Sequence, residues 1–213
     1  MKKNFDTNNF YDSMPIGTLN KYAQISGLSN GPELLIPKVL NEIKNSKSIM
    51  EIGAGEGRVI DNLLKLGYKN KIIGIERSKN FYELLKKKYH NEDKIIILQK
   101  DFLSDELPKV QLGLFLWAEI CNQNEKDQIN IIKKLSTNLE TLIVDSIIMG
   151  EESNATSNSN NKFIFEMEWG KLEGQITSPQ IILKSSKKYF KNCQTWEYIT
   201  DNSKKRRLYL LKK

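Results

Sequence analysis

The chain is poor in the residues from which metal and disulfide scaffolds are built. Its 213 residues hold two cysteines, Cys121 and Cys193, and one histidine, His90. With no CxxC and no second Cys/His pair, neither a disulfide framework nor a zinc site can be assembled, and no metal is expected. No stretch reaches the roughly 18 apolar residues that a membrane-spanning helix needs. The leading residues, MKKNFDTNNF, put no apolar run behind their lysines, so the chain is expected to be cytoplasmic and soluble, without a membrane partner. Arginine is also scarce. Four arginines stand beside 29 lysines in a formal charge of +7. Arginine is the residue that grips phosphate with a planar fork. The lysine excess, next to only four alanines, therefore reads first as drift in an AT-rich genome and second as a nucleic-acid surface.

What is present is an alternation. From residue 48 to 142, β-branched apolar runs exchange with helix-period stretches, the pattern of βαβ units feeding a parallel sheet buried on both faces. Strands are expected at 48–52, 71–76, 94–98, 111–117 and 141–147. Helices are expected at 58–66, from Ser78 to about 89, and at 126–135. Residues 151–162, EESNATSNSNNK, are polar and aperiodic and read as a mobile loop. A hairpin (163–169 with 172–177), a helix opened by Ser178-Pro179, and a closing hairpin (195–200 with 207–211) complete the chain. Residues 1–46 form an N-terminal cap segment, with Pro37 either kinking or starting a helix. Residues 47–213 form the main domain, with a hairpin insertion at about 150–177.

The chemistry concentrates where the first strand ends. Glu51-Ile52-Gly53-Ala54-Gly55-Glu56-Gly57-Arg58 runs from an apolar strand through a glycine turn into a helix. Such a turn lets backbone approach a ligand closely at the carboxyl end of the sheet. Arg58 stands where a dinucleotide fingerprint has its third glycine. Two carboxylates, Glu51 and Glu56, flank the turn. They would repel a pyrophosphate and favour a cation such as S-adenosylmethionine, whose sulfonium and ammonium are positive. Glu76, at the end of the second strand 19 positions after Gly57, can hold a ribose diol with both oxygens. Asp101-Phe102, after the third strand, can accept from an adenine amino group and cover its ring.

In order and position, EIGAGEG, GIERS, KDF and VQLGLFLWAE resemble the class I S-adenosylmethionine-dependent methyltransferases, over about residues 46–148 and the final hairpin. The resemblance implies a Rossmann-like α/β fold: a seven-stranded, mostly parallel sheet with an antiparallel last strand and helices on both faces. It also implies S-adenosylmethionine as cofactor, with S-adenosylhomocysteine as product. Carried over by position, Glu51, Gly53, Ala54, Gly55 and Gly57 line the methionine moiety. Glu76 and Arg77 take the ribose, and Asp101 and Phe102 the adenine. Trp117, Ala118 and Glu119 lie between cofactor and acceptor. Glu119 is the first candidate for a base or substrate anchor and Asp145 the second. Where methylases of adenine or glutamine amino groups carry a proline pair after Asp or Asn, this chain has Leu116-Trp117-Ala118-Glu119, which speaks against those substrates.

The expected function is methyl transfer to a small-molecule acceptor. A protein or RNA acceptor, or a module that binds the cofactor without turnover, are the alternatives, and NAD binding is disfavoured by Arg58 and the flanking acids. No sequence feature sets an oligomeric state. Cys121 reads as a small apolar residue, His90 as a cation at a helix C-terminus, and Lys204 to Arg207 as a charged hairpin edge. Tyr11 and Tyr22 read as packing anchors or as covers over the cofactor.

Overall fold

The structure is a computed structural model describing residues 7–148, 150–151, 156–157 and 161–213. Five strands alternate with helices through the first two thirds of the chain: β1 (Ser48–Ile52), α4 (Arg58–Lys65), β2 (Lys71–Glu76), α5 (Lys79–Lys88), β3 (Ile95–Gln99), β4 (Val110–Phe115), α6 (Glu125–Ser136) and β5 (Leu139–Ile147). Three helices precede them, α1 (Thr7–Asp12), α2 (Thr18–Ile25) and α3 (Pro37–Asn45). After them come β6 (Thr156–Ser157), β7 (Lys162–Met167), β8 (Gly170–Gln175), α7 (Pro179–Ser186), β9 (Asn192–Ile199) and β10 (Lys205–Lys212). None of the described helices is long and apolar enough to cross a membrane.

Among the described residues the main sheet has seven strands in the order β3-β2-β1-β4-β5-β10-β9. β1 pairs in parallel with β2 and β4, and β10 runs antiparallel to both β5 and β9. The direction of winding changes between β1 and β4, so the crevice beyond their carboxyl ends is the place where such sheets bind ligands.

The period-two alternation of the strands divides the core. Ile49, Leu112 and Ile143 face one side with Val39 and Ile43 of α3, Val59 and Leu63 of α4 and Leu85 of α5. Met50, Phe115 and Val144 face the other with Ile131 and Leu135 of α6 and Ile182 of α7. The N-caps expected of the sequence are in place at α7, where the Ser178 side chain accepts from the Ile181 N–H and Pro179 takes the first helical position.

Of the two readings of Pro37 the structure takes the second, with Pro37 starting α3, because its fixed φ and missing N–H cost nothing at a first turn. Elsewhere the structure departs from the sequence reading in several places. β4 stops at Phe115 rather than Trp117, since Trp117 and Ala118 both adopt φ of 56°, which no strand accommodates. Of the loop at 151–162, residues 152–155 and 158–160 lie outside the described residues. Between them Thr156–Ser157 pairs with Ile164 and Phe163, so the hairpin becomes a three-stranded sheet. Lys204 to Arg207 do not form a charged edge: β10 is flanked on both sides, and Arg206 is buried.

Candidate functional site

The glycine turn is built by hydrogen bonds to the end of the neighbouring strand. Gly53 N–H and Ala54 N–H both donate to the Ile75 carbonyl, at 2.9 Å each, while Gly55 N–H donates to Glu76 Oε2 at 2.8 Å. Gly55 and Gly57 hold φ of 53° and 83°, the left-handed region that favours glycine. A Cβ on Gly55 would stand 2.7 Å from Leu19 of α2, and one on Gly57 would strike the Tyr89 hydroxyl. The turn is therefore closely packed on both flanks.

Arg58 explains why the dinucleotide spacing is broken. Its guanidinium donates to the Leu28 carbonyl at 2.7 Å and pairs with Glu33 at 2.6 Å, and it sits over the Trp117 ring at 5.4 Å. The side chain ties the N-terminal segment to the turn after β4, a task a glycine cannot perform.

A single cavity surface at the switch point is lined by Glu51, Gly53, Ala54, Gly55, Glu76, Arg77, Phe102, Trp117 and Glu119, all of them expected from the sequence. Glu51 is buried, and its Oε2 has no hydrogen-bond partner. Burial, more than any neighbour, pushes its carboxyl up to about 8; Arg58 opposes that shift and Glu76 adds to it. Glu76 is also raised, mainly by burial, although backbone N–H groups of Gly55 and Ser78 stabilise its charge. The Arg77 N–H is a third backbone donor, so of its roughly four lone-pair sites about one stays open to a ligand. Phe102 packs edge-on against Phe115, with centroids 5.1 Å apart.

Three expected residues stand elsewhere. Gly57 does not line the cavity; it serves as the N-cap of α4 and backs onto Tyr89. Asp101 is spent on its own loop, accepting from Leu103 N–H and, through its N–H, donating to Asp105; Lys100 and Phe102 line the cavity on either side of it. Asp145 is wholly buried away from the cavity. It pairs with Arg206 at 2.7 Å, accepts from Tyr198, and accepts the Ala118 N–H at 3.2 Å. Its carboxylate fixes the turn that carries Glu119. Glu56, read in the sequence as a second acid for a cation, lines the cavity too, and its carboxylate also accepts from Gly17 N–H and Asn20 N–H at the start of α2.

Glu119 opens a one-turn 3-10 helix and is half-buried against Gly53. Burial, and then the charge of Glu76, push its carboxyl up to about 7, against hydrogen bonds from Tyr11 and Asn122. Tyr11 and Tyr22 both line the cavity, Tyr22 donating to the Met167 sulfur. Around them Phe10, Met14, Phe165, Trp169 and Leu172 form a separate apolar cluster between α1 and the small sheet. Asn122 had no signal in the sequence; it reaches the site only because the strained turn leads into the 3-10 helix.

With this geometry in view, comparison with known proteins is decisive for the class. The profile of the ribosomal RNA adenine dimethylase family matches residues 35–169. The chain belongs to that family, and with it to the S-adenosylmethionine-dependent methyltransferases. A probable ribosomal RNA small subunit methyltransferase A of Thermococcus sibiricus (strain DSM 12597 / MM 739) is 41% identical over 68 residues, 32% of this chain. The match spans 24% of that relative, about a quarter of its length. The fold is shared with an S-adenosylmethionine-dependent methyltransferase of Clostridium acetobutylicum ATCC 824, with 14% identity, a TM-score of 0.63, and 92% of this chain and 98% of that one covered. It is shared also with the sugar N-methyltransferase KedS8 of Streptoalloteichus sp ATCC 53650, with 10% identity, a TM-score of 0.67, and 93% and 94% covered.

The residues present in this family member suit its cofactor. A buried carboxylate oxygen without a partner at Glu51 is costly alone and is matched by a positive ligand. Diphosphate would meet Glu51 and Glu76 as like charges wherever these carboxyls are ionised, which for Glu51 is above about pH 8.

Proposed function

We propose that the protein methylates a small molecule held under its N-terminal helices, with Glu119 taking the proton from the acceptor. The observation that carries this reading is the roof. Tyr11 of α1 reaches Glu119 at 3.3 Å, and Phe10 packs tilted against Trp169 of the small sheet at 6.0 Å. The space beside Glu119 is thus covered by Phe10 and Tyr11 of α1 and by Trp169 of the β7–β8 turn, which argues for a bounded acceptor.

In this reading Glu51 faces the cofactor's ammonium, Glu76 takes the ribose, and Phe102 covers the adenine. When bound, S-adenosylmethionine supplies a methyl group already activated by its sulfonium. The chain's own work is then alignment and exclusion of water, and positioning of this kind accounts for roughly 7–11 kcal/mol of a barrier. With the cofactor held beside Glu51 and Glu76, the acceptor's lone pair would take that methyl and the bonding electron pair would stay on the sulfur. The acceptor's proton passes to Glu119, whose carboxyl near 7 is matched to that task at neutral pH.

A second reading, an RNA acceptor, is favoured by the family profile and by the Thermococcus relative's name. Leu116-Trp117-Ala118-Glu119 and the roofed pocket weigh against adenine in RNA. Incubation with methyl-labelled cofactor, RNA and a low-molecular-weight cell extract separates the two. Label is expected in the small-molecule fraction; label confined to RNA, in a reaction that fades steeply with salt, would transfer the case to the second reading.

A further inference from the structure

Glu119, Tyr11 and Asn122 share a set of hydrogen bonds that methyl transfer itself does not explain. Asn122 Nδ2 donates to the Tyr11 oxygen at 2.9 Å and to Glu119 Oε2 at 3.0 Å. The Tyr11 hydroxyl donates to the same Oε2 at 3.3 Å. An amide nitrogen offers hydrogens and accepts none, so the Tyr11 oxygen receives from Asn122 and its own hydrogen is directed to the carboxylate.

Tyr11 comes from far away to do this. It lies 108 positions before Glu119, and its ring is held edge-on by Phe10 at 5.4 Å and 88°. Phe10 meets Trp169 in the turn between β7 and β8. The hydroxyl is therefore delivered to Glu119 only when α1 is docked on the small sheet.

We infer that Tyr11 is a positioning residue that orients Glu119 and favours its charged form, so that docking of the N-terminal segment and preparation of the proton acceptor are one event. The inference rests on the reading of Glu119 as that acceptor. Its physical basis is that a hydroxyl donating to a carboxylate stabilises the ionised state, as the Asn122 amide and the Arg77 charge also do, whereas burial and Glu76 act on Glu119 in the opposite sense. Removing the hydroxyl leaves those two influences less opposed.

The coupling can be read without knowing the acceptor. The full chain, labelled with carboxyl-13C glutamate and saturated with S-adenosylhomocysteine, is titrated by NMR, and Glu119→Gln identifies the Glu119 resonance by its loss. Tyr11→Phe keeps the ring and its contact with Phe10; it is expected to move the Glu119 midpoint up by about half a pH unit or more. Asn122→Ala is expected to move it in the same direction. Tyr22→Phe removes the hydroxyl that bonds Met167 and is expected to leave the Glu119 midpoint where it was. An unmoved midpoint in Tyr11→Phe overturns the inference. An equal shift in Tyr22→Phe also overturns it, because loosening of the roof would then be the cause. Activity of Glu119→Gln separates the two layers: retained methyl transfer removes the proton-acceptor reading and leaves the measured Tyr11 coupling intact, whereas lost transfer with an unmoved Tyr11→Phe midpoint removes only the coupling.

Discussion

The carboxylate of Glu56, inside the glycine turn, accepts the backbone N–H of Gly17 at 2.6 Å and that of Asn20 at 3.1 Å. It does for α2, whose N-cap is Gly17 with no side-chain bond of its own, what a serine or aspartate does at an ordinary helix start. The cofactor turn and the N-terminal segment are thus joined by an acid that belongs to the first and serves the second. Glu56→Ala is expected to cost about 1 kcal/mol and to speed amide exchange across residues 18–25. Unchanged protection of those amides would show that Leu19 packing on Gly55 holds the helix unaided.

Glu76 joins β2 to the glycine turn through the Gly55 N–H and lines the cavity where a ribose would lie. Glu76→Ala is expected to weaken S-adenosylmethionine binding at least tenfold, about 1.4 kcal/mol, by isothermal titration. Wild-type affinity would remove the ribose from this carboxylate.

Asp145 balances Arg206 inside the protein, with side-chain exposures of 1% and 2%. Asp145→Ala removes the carboxylate that Arg206 pairs with at 2.7 Å and frees the Ala118 N–H. A loss of about 3–5 kcal/mol in urea unfolding is expected. A loss below about 1 kcal/mol would mean that the pair is solvated in solution.

Burial raises the folded-state carboxyls of Glu51 to about 8 and Glu119 to about 7, from 4.5. The folded state therefore holds protons that the unfolded chain releases. The stability linked to these groups is present below about pH 4.5 and is lost as pH rises through 7 to 8. Cofactor-free protein should unfold more easily at about pH 8 than at about pH 5, and Glu51→Gln should flatten that slope, measured by urea titration at both values. Cofactor affinity should run the other way, strengthening with pH as Glu51 becomes anionic. A pH-independent affinity would disconnect Glu51 from the ligand's charge.

Much of this was legible in the residues. Strands such as 48–52 and 71–76 declare themselves through β-branched runs, and the turn between Ile52 and Arg58 through glycines that its dihedrals require. Local signals stop there. Asp145 looks like an acid at a strand end, and only a pairing 61 positions away with Arg206 makes it structural. Asp101 looks like an adenine contact, and what the sequence does not announce is that its Oδ1 and its N–H are bonded within its own loop. Helices α1 and α2 have mixed, polar sequences; they are ordered by docking, through Leu19 on the glycine turn and Tyr11 on Glu119, which no periodicity announces. Asn122 is placed by a strained turn that composition does not foretell.

β10 lies between β5 and β9 and carries Arg206, the counter-charge of Asp145. During synthesis the polypeptide thus carries its cofactor turn, its roof and Glu119 through the exit tunnel long before the strand that steadies them has been made. Until Lys205–Lys212 emerges, Asp145 lacks the guanidinium of Arg206 and β9 lacks the strand it pairs with. A nascent chain halted before that point should be protease-sensitive and inert, so that competence arrives late and all at once.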